Sequence, residues 1–295
     1  MKRILVTGAT GNIGLEVVRY LSEFKSGTQI YAAVRNTESA KKSFRGYSDL
    51  SFREFDFGKR ETFAPAFDQV DILFLLRPPQ ISDVENVFRP LLTSAKKCGI
   101  SKVVFLSVQG AERSKVIPHN KIERLIKELN FDYIFVRPSY FMQNLTTTLL
   151  PEIANDQTIT LPSGKAKFNW VDVKNIGEAA AVLIAQFENH QNQAFEITGT
   201  ENKNFGDVAD LMTEITGRRI SFKSINPVRF YFRKKNEGIN GEFAMVMTIL
   251  HFLPRLQREP EISGNYQLLT RKVPTTLREF IEREKEKLTS PQSHV

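Results

Sequence analysis

The run Thr7-Gly8-Ala9-Thr10-Gly11-Asn12-Ile13-Gly14 places three glycines at intervals of three between a short apolar stretch and a helical stripe. A loop of this kind suits a dinucleotide pyrophosphate. Gly8 permits the tight turn, Gly11 lets backbone N–H groups approach the phosphates, and Gly14 lets the helix pack on the strand. The helix N-terminus adds about half a positive charge. Thr10, Asn12 and Ile13 complete the cradle. At the end of the second apolar run, where a site for NAD carries a carboxylate, this chain has Arg35. A guanidinium there fits a 2'-phosphate, so NADP(H) is expected in preference to NAD(H). Asp56, after the third run, either meets the adenine amino group or caps the segment 59–67.

His119 and Glu123 are one helical turn apart and point the same way. They suit either a proton donor with its orienting partner or an ion pair near a helix start. Ser107, at a strand end, either holds a substrate oxygen or satisfies its own loop. Phe141, Phe168 and Trp170 are candidates to line a pocket for a flat acceptor. With one cysteine and four scattered histidines, no metal site is expected.

These groups need elements to hold them. Residues 2–7, 30–34, 51–55, 70–76, 102–108 and 133–136 read as strands, and 70–76 is almost wholly apolar, as a strand buried on both faces must be. Helical spacing appears at Ile13, Val17, Val18 and Leu21, at 84–95 with a kink expected at Pro90, and at 122–129. Asn175 to Glu178 has the spacing of a capped helix start, with the helix over 179–187. Residues 194–198 read as a last strand, 205–216 as a helix, and everything from Ile220 onward as helical or irregular. Alternating strands and helices predict an α/β fold, a Rossmann-type doubly wound parallel sheet with a small, mainly helical C-terminal substrate lobe. Residues 1–150, completed by segments within 168–200, would form the nucleotide domain. Residues 151–167 and 201–295 would form the lobe.

Composition limits the rest. The chain has 295 residues, 41% of them hydrophobic and 25% charged, which is a globular balance that excludes disorder and coiled coil. No apolar run reaches the ~20 residues a bilayer requires, so no membrane partner is expected, and a single cysteine fits a cytoplasmic, reducing compartment. The net charge of +8 favours anionic partners. Residues 217–236 hold seven basic side chains and no acidic one, interleaved with Phe222, Phe230, Tyr231 and Phe232. That pattern suits single-stranded nucleic acid. The reading preferred here is that the aromatics pack and the cations face solvent or an anionic substrate, with no nucleic-acid partner.

The sequence resembles the short-chain dehydrogenase/reductases, and within them the atypical NmrA-like branch, at residues 6–14, 71–78, 103–110 and 136–145. The branch contains NADPH-dependent quinone, dye and azo reductases as well as NADP-binding regulators. The resemblance implies that Leu76, Arg77, Pro138, Phe141 and Asn144 lie beside the nicotinamide. It also places a catalytic lysine in the vicinity of Lys121. The superfamily's usual Tyr and Lys, four residues apart on a helix, are missing: there is no tyrosine between Ser107 and Asp132, and the helix reads Pro118-His119-Asn120-Lys121-Ile122-Glu123. Two functions follow. One is an NADPH-dependent reductase passing hydride to an electron-poor small molecule such as a quinone, azo dye or conjugated carbonyl, as a monomer or homodimer. The other is a non-catalytic NADP(H)-binding, redox-sensing regulator that acts through a protein partner.

Overall fold

Seven strands form a single parallel sheet in the computed structural model, which describes residues 2–24, 27–47 and 50–290. They are Arg3–Thr7 (β1), Gln29–Val34 (β2), Leu50–Glu54 (β3), Ile72–Leu76 (β4), Lys102–Leu106 (β5), Asp132–Pro138 (β6) and a seventh, Gln193–Ile197. Their order is seventh strand, β6, β5, β4, β1, β2, β3. Alternate residues of a strand point to opposite faces, so a strand covered on both sides must be apolar throughout. On one face Leu73, Leu75, Val103, Phe105 and Phe135 meet Phe63, Phe67, Leu91, Leu92, Ile122 and Ile126 from the covering helices. The helices Asn12–Glu23 and Val173–Ala185 pack on one another.

The chain divides into two compact units. The first takes the residues up to Pro138, Val173–Ile197 and Asn265–Lys272; the second takes Ser139–Asp172, Thr198–Gly264 and the described residues from Val273 on. The division thus falls at Pro138, where the sequence reading put it at 150, because Tyr140–Phe141 leaves the sheet and pairs with Phe168–Val171. Within the second unit Trp170, Phe168 and Phe205 form the centre of an apolar cluster. It is helical, with short strands, and one of these, Ser221–Ser224, lies where no strand was expected; it pairs in parallel with Thr158–Leu161.

Three local readings are corrected. The helix Val173–Ala185 begins ahead of Asn175, so the expected cap lies inside it. A capping box and one helical face share the same spacing of three. Here Asn175 donates to the Tyr266 hydroxyl at 2.9 Å, and that hydroxyl donates to Glu178 at 2.6 Å, within the buried interior. Pro90 does not kink a continuous helix; a π-helical turn, Val84–Phe88, precedes Arg89–Lys97, and Pro90 falls in its first turn, where a missing N–H costs little. The 59–67 segment is a short 3-10 turn, Arg60–Thr62, followed by Phe63–Phe67.

Candidate functional site

The strand order places the crossover point of the fold between β1 and β4, and in open parallel sheets ligands bind outside the carboxyl ends of the strands at such a point. Thr7, fully buried, fastens these two ends together: its hydroxyl accepts the Leu76 N–H at 2.8 Å and donates to the Phe74 carbonyl at 3.1 Å. Gly8 follows with φ of +62°, a conformation a side chain disfavours, and a Cβ on it would stand 3.2 Å from Leu76. Leu76 therefore closes one wall of the loop. Gly11 donates to the Gly8 carbonyl at 2.9 Å and serves as the N-cap of Asn12–Glu23. At Gly14 a Cβ would come within 2.2 Å of the Gly8 carbonyl oxygen, so any larger residue forces the loop off the helix.

No side chain among the described residues caps this helix, and its first turn carries no acidic residue. The N–H groups of Asn12, Ile13 and Gly14 have no intrahelical acceptor, which is the normal state of a first turn. Thr10, Gly11 and Asn12 are exposed while Ile13 is buried and anchors the turn. These features fit a pyrophosphate. Arg35, one residue past β2, is exposed, and no hydrogen bond or ion pair engages its guanidinium among the described residues. Asp56 turns into its own loop: its carboxylate accepts the Gly58 N–H at 2.9 Å and its N–H reaches Thr62.

At the end of β4, Arg77 donates through Nη1 to the carbonyls of Pro78, Pro79 and Ile81 at 3.1, 3.0 and 2.7 Å. Its Nε–H donates to His119 Nε2 at 3.3 Å. Since a guanidinium only donates, Nε2 is the acceptor and the ring proton sits on Nδ1. Burial, reinforced by the Arg77 charge, lowers His119 to about 3, and burial lowers Arg77 to about 10. The imidazole is thus neutral and the guanidinium charged at neutral pH. The one-turn spacing puts His119 and Glu123 on the same helix, Pro118–Glu128, yet their hydrogen bonds go to different places. Glu123 is buried, accepts the Ser107 hydroxyl at 2.6 Å, and holds Arg137 through both oxygens at 2.9 and 2.7 Å. The Ser107 proton is therefore directed at a carboxylate. Arg137 also reaches Glu112 at 2.7 Å. Lys121 lies on the exposed side of the helix.

Pro138 is buried as the last residue of β6, and its carbonyl accepts the Gln109 N–H at 2.9 Å. Phe141 and Asn144 belong to the second unit, Phe141 in the short strand Tyr140–Phe141 and Asn144 in the turn Met142–Thr146. Phe168 and Trp170, read as pocket candidates, are buried in the core of that unit, and Trp170 donates its indole N–H to the Lys203 carbonyl at 3.0 Å. Thr7 and Arg137 had no assigned role in the sequence. A threonine completing an apolar strand gives no local sign that its hydroxyl crosses to the next strand. An arginine at the end of an apolar strand does signal that a carboxylate must be near, without saying which one.

The chain is 26% identical over 94% of its length, and 90% of the relative's, to Prestalk A differentiation protein A of Dictyostelium discoideum. It is 30% identical to the NAD(P)H azoreductase of Xenophilus azovorans, over 75% of this chain and 77% of that one. The structure of the Citrobacter sp. triphenylmethane reductase complexed with NADP(H) superposes with a TM-score of 0.79 at 22% identity, covering 96% of this chain and 99% of that one, and so shares the fold. A model of the NmrA-like family matches residues 1–281, and the chain belongs to that family.

Proposed function

We propose that this chain is an NADPH-dependent reductase that transfers hydride to an electron-poor small molecule, a quinone, azo dye or conjugated carbonyl, in a reducing cytoplasmic compartment. The observation that carries the reading is the uncapped helix start behind the glycine loop, at the crossover point of the sheet, with the unpaired Arg35 at the end of the neighbouring strand. The names of the azoreductase and the dye reductase support it. Gly8, Thr10, Gly11, Asn12, Ile13 and Gly14 would hold the pyrophosphate, and Arg35 the 2'-phosphate. Leu76, Arg77 and Pro138 would serve the nicotinamide end. A bound dihydronicotinamide supplies the hydride.

The chain's own contribution is to bind and orient. Ser107 donates its hydrogen bond to Glu123, and His119 is neutral and accepts from Arg77, so neither is set up as a strong acid. Acceptors that spread negative charge within themselves need no such acid, whereas an unactivated ketone loses ~100- to 10,000-fold without one. The same commitments favour the second reading, a nucleotide-binding regulator that never turns over.

The cofactor assignment has its own test. Arg35→Asp removes a charge-assisted contact worth ~1.5–3 kcal/mol, so NADPH binding should weaken roughly ten- to a hundredfold while NADH binding is spared. Titration calorimetry with both nucleotides measures this. Equal losses for the two would remove Arg35 from the site.

A further inference from the structure

Nine of the thirteen large hydrophobic side chains exposed among the described residues lie between positions 228 and 262. The helix Gly241–Phe252 buries Ala244, Met247, Thr248 and His251, yet leaves Met245, Val246, Ile249 and Leu250 in solvent. It is apolar on both sides, a pattern that normally belongs to a covered helix. Those four residues fall on one face, and Leu253 continues the stripe one turn on. The packed neighbour, Pro227–Asn236, exposes Val228 and Phe232, 61% and 57%, in an open groove of its own that is also lined by Arg229, Arg233 and Glu237.

The same stretch of chain is strongly basic. Residues 217–258 contain nine basic and two acidic side chains, a net of plus seven against plus eight for the whole chain. Glu237 pairs with both Arg233 and Lys234, and Glu152 also meets Arg233. Arg229, Lys235, Arg255 and Arg258 are exposed and have no carboxylate partner among the described residues. An apolar stripe within a strongly basic segment is complementary to an interface that is apolar inside and negatively charged at its rim. A second copy of the chain would set like charge against like. A single-stranded nucleic acid would need a row of exposed rings, but Phe230 is fully buried, Phe222 packs on the core, and Tyr231 is half-buried. No helix among the described residues is long enough to cross a bilayer.

We propose that the helix pair Pro227–Asn236 and Gly241–Phe252 forms a membrane-surface docking face. The stripe enters the headgroup boundary of an anionic bilayer, and Arg229, Lys235, Arg255 and Arg258 meet the lipid phosphates and carboxylates. This goes beyond the reductase reading and does not rest on it. The sequence had suggested no membrane partner because nothing in it spans; lying on a bilayer is a separate property that needs no span.

Co-sedimentation of the full chain with vesicles tests the proposal, using phosphatidylcholine alone and phosphatidylcholine with about one-third phosphatidylserine. Each cation near such a surface is worth about fivefold in binding, so with four of them the anionic vesicles should be preferred by about 600-fold, and high salt should erase most of that. The variant Arg229→Gln/Lys235→Gln/Arg258→Gln should lose about 100-fold on anionic vesicles. Ile249→Glu/Leu250→Glu, which changes exposed side chains only, should lose at least ~10-fold with its circular dichroism unchanged. Equal binding to both vesicle types, no binding to either, or binding that survives both variants would overturn the proposal. So would a concentration-dependent dimer that Ile249→Glu/Leu250→Glu abolishes, since the face would then belong to a second copy.

Discussion

Glu123→Ala is expected to cost about 3–5 kcal/mol of folding stability, the usual penalty for removing one partner of a buried ion pair. The carboxylate is 4% exposed and takes three hydrogen bonds, one from Ser107 and two from Arg137. Its loss would strand a guanidinium whose side chain is only 12% exposed, together with a buried hydroxyl. Glu112 remains in contact with Arg137, but at 41% exposure its attraction is screened by water and does not replace the bidentate pair. Ser107→Ala removes a single hydrogen bond and should cost about 1 kcal/mol, and Glu123→Gln should fall between the two. Urea unfolding of the three variants reads these values. A loss below about 1 kcal/mol for Glu123→Ala would show that Glu112 suffices and that Glu123 does not anchor the end of β6.

Stability should also fall by about 4 kcal/mol between pH 8 and pH 5, through two histidines that are buried neutral. Burial, with Lys234 adding to it and the Met247 carbonyl opposing it, lowers His251 to about 4 from 6.5; burial and Arg77 lower His119 to about 3. Both folded values lie below the unfolded one, so below pH 6.5 the unfolded chain binds more protons than the folded one. Their contribution is complete above pH 6.5 and is lost as pH falls toward the folded values. At pH 5 each accounts for about 2 kcal/mol. The His251 ring donates from Nδ1 to the Met247 carbonyl at 2.7 Å and accepts the Tyr140 hydroxyl at 2.8 Å, a pattern an imidazolium cannot keep. His251→Gln, although less stable overall, should show about half the pH dependence. An unchanged slope in that variant would mean that His251 titrates in the folded chain as it does in the unfolded one and is not held neutral by burial.

The fold was legible where burial writes directly into sequence. Residues 72–76 are apolar because both faces of β4 are covered, and the glycines at 8, 11 and 14 mark the turn that follows β1. Legibility failed where the decisive partner is remote. Ser221–Ser224 is polar and becomes a strand only by pairing with Thr158–Leu161. Asn175 and Glu178 have the spacing of a helix start, and only Tyr266, distant in sequence, shows that they face a buried polar cluster. At the candidate site the glycine spacing located the turn and the helix start behind it. The proton chemistry could not be read, because the partner of Glu123 is Arg137, from another strand, and the partner of His119 is Arg77.

The central claim is that the chain passes hydride from NADPH to acceptors that stabilise their own negative charge. Stopped-flow oxidation of NADPH against a panel of quinones, azo dyes and aliphatic ketones tests it most directly. Turnover of at least some quinones or azo dyes, with ketones slower by ~100-fold or more, is the result the account predicts. Tight NADPH binding with no oxidation by any electron-poor acceptor would contradict it and favour the regulator, and aliphatic ketones turning over as fast as quinones would contradict the claim that no strong acid is in place.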